Sequence, residues 1–107
     1  MSVDFYLFAV RKTNVYGGNL THNLIPIAEE AGLYEAIWRP DEIGIKHAEE
    51  LIPILEKGLE KLRSQPDKFK KLNPENDYGS YDGFVNTVEE YLTACKENPD
   101  AEVAVWR

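Results

Sequence analysis

The sequence predicts an α+β fold: a small sheet that includes the N- and C-terminal strands, packed against about three helices. Three observations predict it. β-Branched and aromatic residues are dense at both ends, over Val3–Val10 and Ala101–Trp106, whereas apolar residues between them recur every three to four positions. Helices segregated between two terminal strands place those strands side by side in one layer. No Ser- or Gly-rich linker and no internal repeat divides the 107 residues, so residues 1–107 read as one α+β domain.

In the first strand, Val3, Phe5, Leu7 and Ala9 point one way and Tyr6, Phe8 and Val10 the other. Apolar residues on both sides imply cover on both faces, or cover on one and a partner on the other. Arg11–Asn14 and Tyr16-Gly17-Gly18-Asn19 carry turn chemistry, the glycine pair tolerating the positive φ of a tight reversal. Leu20–Leu24 is then expected to return as a short hairpin strand. Two strands alone are marginal, so a third is expected from residues 19–24 or 34–38.

Leu24–Ala31 reads as a short helix with Asn23 at its N-cap, Pro26 in its first turn and Gly32 just past its end. Pro40-Asp41-Glu42 opens another short helical piece ending at Gly44. From about Lys46 to Arg63, Ala48, Leu51, Ile52, Leu55, Leu59 and Leu62 form one buried stripe. Pro53 interrupts that stripe and is expected to kink or split the helix, at roughly 3 kcal/mol against alanine. Pro66 starts a short turn of helix through Phe69 to Leu72. The last helix carries Tyr81, Phe84, Val85, Val88, Tyr91, Leu92 and Cys95 at helical spacing. Ser80 is its N-cap, Asp82 complements its dipole, and Asn98-Pro99 ends it.

Composition narrows the function classes. A 43% hydrophobic fraction supplies a core, and the single cysteine, Cys95, excludes a disulfide framework. No apolar run approaches the ~20 residues of a membrane span. Nineteen acids against twelve bases give −7, which argues against binding phosphate backbones, so no nucleic-acid partner is expected. The acid excess is spread evenly along the chain, which gives little support to an acidic nucleic-acid mimic. Asp4 stands where a signal peptide would carry bases, and a lone cysteine fits a reducing compartment, so a cytoplasmic location is expected.

Leu72-Asn73-Pro74-Glu75-Asn76-Asp77-Tyr78-Gly79-Ser80-Tyr81-Asp82-Gly83-Phe84 resembles a family of short bacterial and prophage-type hypothetical proteins. The resemblance extends through Ala94-Cys95, Asn98-Pro99-Asp100-Ala101 and Val103-Ala104-Val105-Trp106-Arg107. Upstream, Asn19–Leu24 and Leu51-Ile52-Pro53-Ile54-Leu55 also fit. It implies a single domain and carries no reaction, cofactor or partner with it.

Chemistry-bearing constellations are sparse. His22, His47 and Cys95 are too scattered for a zinc site, and the acids of Asp77–Asp82 lack calcium-loop spacing, so no metal is expected. No nucleophile elbow, P-loop or dinucleotide fingerprint is present, so no cofactor is expected either. Two polar clusters remain, each leading into a helix. Asn19, Thr21, His22 and Asn23 offer neutral hydrogen-bonding groups beside exposed helix N–H groups, or else cap the helix. Asn76, Asp77, Tyr78, Gly79, Ser80, Tyr81 and Asp82 combine tyrosines and short polar residues that suit a planar or sugar ligand, or else pack on the core. Trp38 and Arg39 are a third candidate, being residue types that anchor recognition surfaces, or else Trp38 belongs to the core.

The resulting expectation is a non-catalytic binding module for a small polar ligand or protein partner, using segments 19–23 and 76–82 as one surface. An enzyme would use His22 as general base beside Asp82 or Asp77, with Arg39 holding the substrate. A third alternative is an inhibitor or homodimer joined through an exposed strand edge.

Overall fold

The central strand, β1 (Ser2–Phe8), pairs antiparallel with β2 (Asn14–Thr21) on one side and with β3 (Glu102–Trp106) on the other. The computed structural model that shows this describes residues 2–9, 14–72 and 80–107. Phe5 lies opposite Val105 and Leu7 opposite Val103, so the first and last strands are neighbours as expected. Between the strands lie α1 (Ile25–Glu30), α2 (Tyr34–Trp38), α3 (Ala48–Ser64), α4 (Pro66–Lys70) and α5 (Tyr81–Glu97). The architecture is α+β, with α3 and α5 packed together as the main helical pair.

The third strand comes earlier than the glycine pair implied. Gly17 and Gly18 lie inside β2, not in a turn, and residues 34–38 are helical. The cause is packing from the neighbouring strand. A Cβ on Gly18 would lie 2.6 Å from the Phe5 ring, and one on Gly17 would lie 3.0 Å from the Tyr6 ring. Aromatic rings of β1 occupy the space that side chains on β2 would need. The tight reversal expected at the glycine pair is therefore absent there, and residues 11–13, the other stretch with turn chemistry, lie outside the described residues.

Thr21, not Asn23, begins the following helical segment: its hydroxyl accepts from the Asn23 N–H at 3.4 Å, opening a 3-10 turn over His22–Leu24. Gly32 ends α1 as expected, at φ +75°. Leu33 N–H donates to the Ala28 carbonyl (2.8 Å) and Gly32 N–H to that of Glu29 (3.1 Å), the paired bonds of a Schellman ending. This motif fixes Leu33, which is fully buried, against α3.

Pro53 does not split α3, which runs unbroken from Ala48 to Ser64. Both Pro53 and Glu49 are exposed, so the one N–H the helix lacks falls on its solvent side, where it costs least. The helix starts two residues later than expected, where the Glu50 carboxylate accepts from the backbone N–H groups of Lys46 (2.6 Å) and His47 (2.8 Å). Those two bonds hold the Glu50 carboxyl below its usual pKa. Its first N–H groups bond to the carbonyls of Ala101 and Pro99, tying α3 to the start of β3.

Ser80 caps α5 as expected, accepting from Gly83 N–H at 3.1 Å. The stripe Tyr81, Phe84, Val88, Tyr91, Leu92 and Cys95 is buried. Tyr91 seats this helix on the sheet, with ring centroids 4.6 Å from Phe5 and 5.5 Å from Tyr16.

Candidate functional site

Alternation along the strands sorts their residues onto two faces. Val3, Phe5 and Leu7 face the helices and are fully buried, together with Leu20 and the half-buried Tyr16 opposite them. The opposite face carries Tyr6 and Phe8 from β1, Gly17 from β2, and Ala104 and Trp106 from β3. None of these belongs to the core, and Trp106 is 59% exposed.

The aromatics of this open face pack on one another. Tyr6 and Trp106 meet edge to face, with centroids 5.1 Å apart and planes at 85°. Phe8 lies 6.0 Å from Tyr6. The Tyr6 ring leans over Gly17, where the missing Cβ makes room for it. Two rings at nearly a right angle make a corner: a flat molecule stacked on one presents its edge to the other. Asn19 borders this corner, its side-chain amide donating to Asp4 Oδ1 at 2.5 Å and to Ser2 Oγ at 3.0 Å.

Of the sequence-predicted residues, Asn19 therefore joins the open face and the others do not. Thr21 caps the 3-10 turn and Asn23 is exposed beside it. Trp38 is a core residue, 2% exposed, rather than a surface anchor: α2 turns it inward, its ring stacked with Tyr34. His22 lies against it, centroids 6.5 Å apart. His22 Nε2 and Trp38 Nε1 are both buried without a hydrogen-bond partner. Arg39 is held by its own neighbours, donating to Tyr34 Oη (2.9 Å) and Glu42 Oε2 (2.6 Å). Tyr81 is likewise unavailable to a ligand. It is buried, and its hydroxyl donates to the Leu62 carbonyl at 2.5 Å. Ser80 is engaged as a cap and Asp82 is exposed in the first turn of α5. Asn76, Asp77 and Tyr78 lie outside the described residues.

A concave feature lies elsewhere, between β2 and the outer side of α5. This groove, of about 570 Å³, is bordered by Val15 and Tyr16 on the strand and by Glu89, Glu90 and Glu97 on the helix. Burial, reinforced by the Glu90 charge, pushes the Tyr16 hydroxyl up to about 12. Glu89 is paired with Arg63 at 2.6 Å, whereas Glu90 and Glu97 make no ion pair among the described residues.

The open face was half visible in the sequence, since alternation alone puts Tyr6 beside Phe8. Trp106 joins them only through the β1–β3 register. Among the described residues no group of three His, Cys, Asp or Glu side chains is placed to hold a metal ion. Nor is any helix among them long and apolar enough to cross a membrane. Comparison with protein-family models, with curated proteins and with solved structures finds no match.

Proposed function

We propose that this protein is a non-catalytic recognition module whose contact surface is the open face of its sheet, taking a flat ring compound that carries no negative charge. The observation that supports this most is Trp106, 59% exposed and set at 85° to Tyr6 outside the core. An indole in water is otherwise a loss of hydrophobic stabilisation, and aromatic corners are what ring ligands stack on.

Size favours a small ligand over a protein. Three strands of five to eight residues present a face of about 300 Å² at ordinary strand spacing and rise. A stable protein interface needs roughly 800 Å² from each partner. Charge limits the ligand further. The described strand residues on this face include Asp4 and no base, and the chain as a whole carries −7, so a phosphate or carboxylate would meet repulsion, whereas a neutral or cationic ring would not.

The test is a fragment screen of neutral, cationic and anionic ring compounds, read by amide and indole NMR shifts. Neutral or cationic rings are expected to move Tyr6, Phe8, Gly17, Ala104 and the Trp106 indole. Trp106→Ala should weaken binding by roughly 30-fold, the loss typical of a central aromatic contact. Shifts confined to other surfaces, equal binding by Trp106→Ala, or no binding fragment at all would overturn the proposal.

A further inference from the structure

The two edges of the sheet are not alike. At the β3 edge, the start of the strand is already occupied: Val103 N–H donates to the Lys46 carbonyl at 2.9 Å, and His47 bridges to Glu102. At the β2 edge, no strand pairs with the outward backbone groups among the described residues. Edge strands are usually protected by lysine, proline or inward charge, because their unpaired N–H and C=O groups recruit other strands. β2, Asn-Val-Tyr-Gly-Gly-Asn-Leu-Thr, contains no lysine, proline or charge; its protection is confined to its start, where the register shifts opposite Leu7 and Phe8 and the Asn14 side chain accepts from the Tyr16 N–H at 3.0 Å.

What lies beside this bare edge selects its occupant. A strand added to β2 would run along the groove whose far wall is α5, and alternate side chains would point toward that wall. Glu90 and Glu97 stand there without ion pairs among the described residues, two turns apart, about 10 Å along the helix. Basic side chains two or four positions apart on a strand, about 7–13 Å, have the reach to meet both. A second copy of the chain is a poorer occupant. Two-fold pairing of β2 with β2 would bring the two glutamate-bearing walls of α5 face to face.

We propose that the outer edge of β2, with the glutamate wall of α5, accepts an extended segment of a partner protein with lysine or arginine at alternate positions, as a fourth strand. Beyond Tyr16 the edge, unpaired among the described residues, supplies the backbone pairing, and the acidic wall supplies the charge preference. This surface is separate from the aromatic face, and its test reads different residues.

The probe is a synthetic nine-residue peptide alternating lysine with threonine and valine, compared with the same peptide carrying glutamate for lysine. Two further versions carry N-methyl groups on alternate amides, one for each register. Binding is followed by fluorescence anisotropy, and amide hydrogen exchange is followed at Val15–Asn19. The lysine peptide should bind and slow exchange in that segment. The glutamate peptide should not bind. Only one N-methylated version should lose binding, by at least tenfold, because a strand offers one edge at a time. Glu90→Lys with Glu97→Lys should weaken the lysine peptide by at least tenfold with the circular dichroism spectrum unchanged. Absence of binding, equal binding by both N-methylated versions, or binding without protection at Val15–Asn19 would overturn the proposal. So would protection of the same amides in peptide-free protein together with a dimeric sedimentation coefficient, which would identify a second copy as the occupant.

Discussion

Replacing Gly58 by alanine should destabilise this protein, against the usual effect of such a change in a helix. Gly58 is buried in the middle of α3, where alanine is ordinarily better than glycine by about 1 kcal/mol. Here a Cβ would lie 2.3 Å from Leu33 Cδ2, 2.4 Å from Cγ and 2.7 Å from Cδ1. Rotating the end of the leucine does not clear the contact, because Cγ itself is too close. Moving the residue is opposed by the Schellman bonds that hold Leu33 at the end of α1. Overpacking at such a site costs about 1–3 kcal/mol, and the backbone constraint places it at the upper end. After the propensity gain, the net loss is about 1–2 kcal/mol, or a Tm lower by roughly 4–8 °C for a domain of this size.

The decisive assay is a urea-denaturation double-mutant cycle with Leu33→Ala. That substitution alone should cost about 2–5 kcal/mol, because Leu33 is fully buried. In its background the Gly58→Ala methyl enters vacated space and should restore about 1 kcal/mol. The sign of one substitution thus reverses with the identity of its neighbour. If Gly58→Ala stabilised the parent chain, or behaved alike in both backgrounds, close packing of Leu33 on bare helix backbone would be refuted.

Three other outcomes follow from the same structure. The Tyr91 hydroxyl is buried without a partner, whereas that of Tyr81 donates to the Leu62 carbonyl. Tyr91→Phe should therefore leave the urea midpoint unchanged or higher, while Tyr81→Phe should lose about 1 kcal/mol in the same assay. Burial pushes the Cys95 thiol up to about 12, so a thiol-reactive disulfide should modify the protein only as fast as it unfolds, and at once in concentrated urea. Lys68 holds the Glu30 carboxyl below its usual value, Arg107 does the same for Asp41, and backbone N–H groups of His47 and Lys46 do so for Glu50. Folded values below unfolded ones mean that this stabilisation is complete above the ordinary carboxylate range. It is lost as pH falls through the folded values, so the urea midpoint should drop below about pH 4, and less steeply in Glu50→Gln.

Elements held by their own periodicity were legible before any coordinates. The α5 stripe from Tyr81 to Cys95 declares its buried side, and the terminal strands declare theirs by composition. Features set by distant residues were not. Gly17-Gly18 has the local chemistry of a turn, and only Phe5 and Tyr6 on the next strand explain why glycine belongs in β2. Gly58 is silent in the α3 pattern because its reason is Leu33, on another element. Trp38 offered two local meanings, anchor or core, and the direction of α2 chose the second. The candidate site followed the same rule: β1 alone brought Tyr6 and Phe8 together, and strand register was needed to add Trp106.

Strand order also dictates when the molecule can finish itself. The middle of the sheet is made first, and one of its two flanks is made last: Phe5 waits for Val105. Joining positions that far apart carries an entropic penalty of about 4 kcal/mol, against about 2 kcal/mol for the local β1–β2 hairpin. A nascent chain therefore emerges with a hairpin whose inner strand has one backbone edge unpaired and whose apolar face, Val3, Phe5 and Leu7, is still to be covered by helices. Until β3 clears the ribosome, that edge is a template for any passing strand, and the helices between can shield it meanwhile.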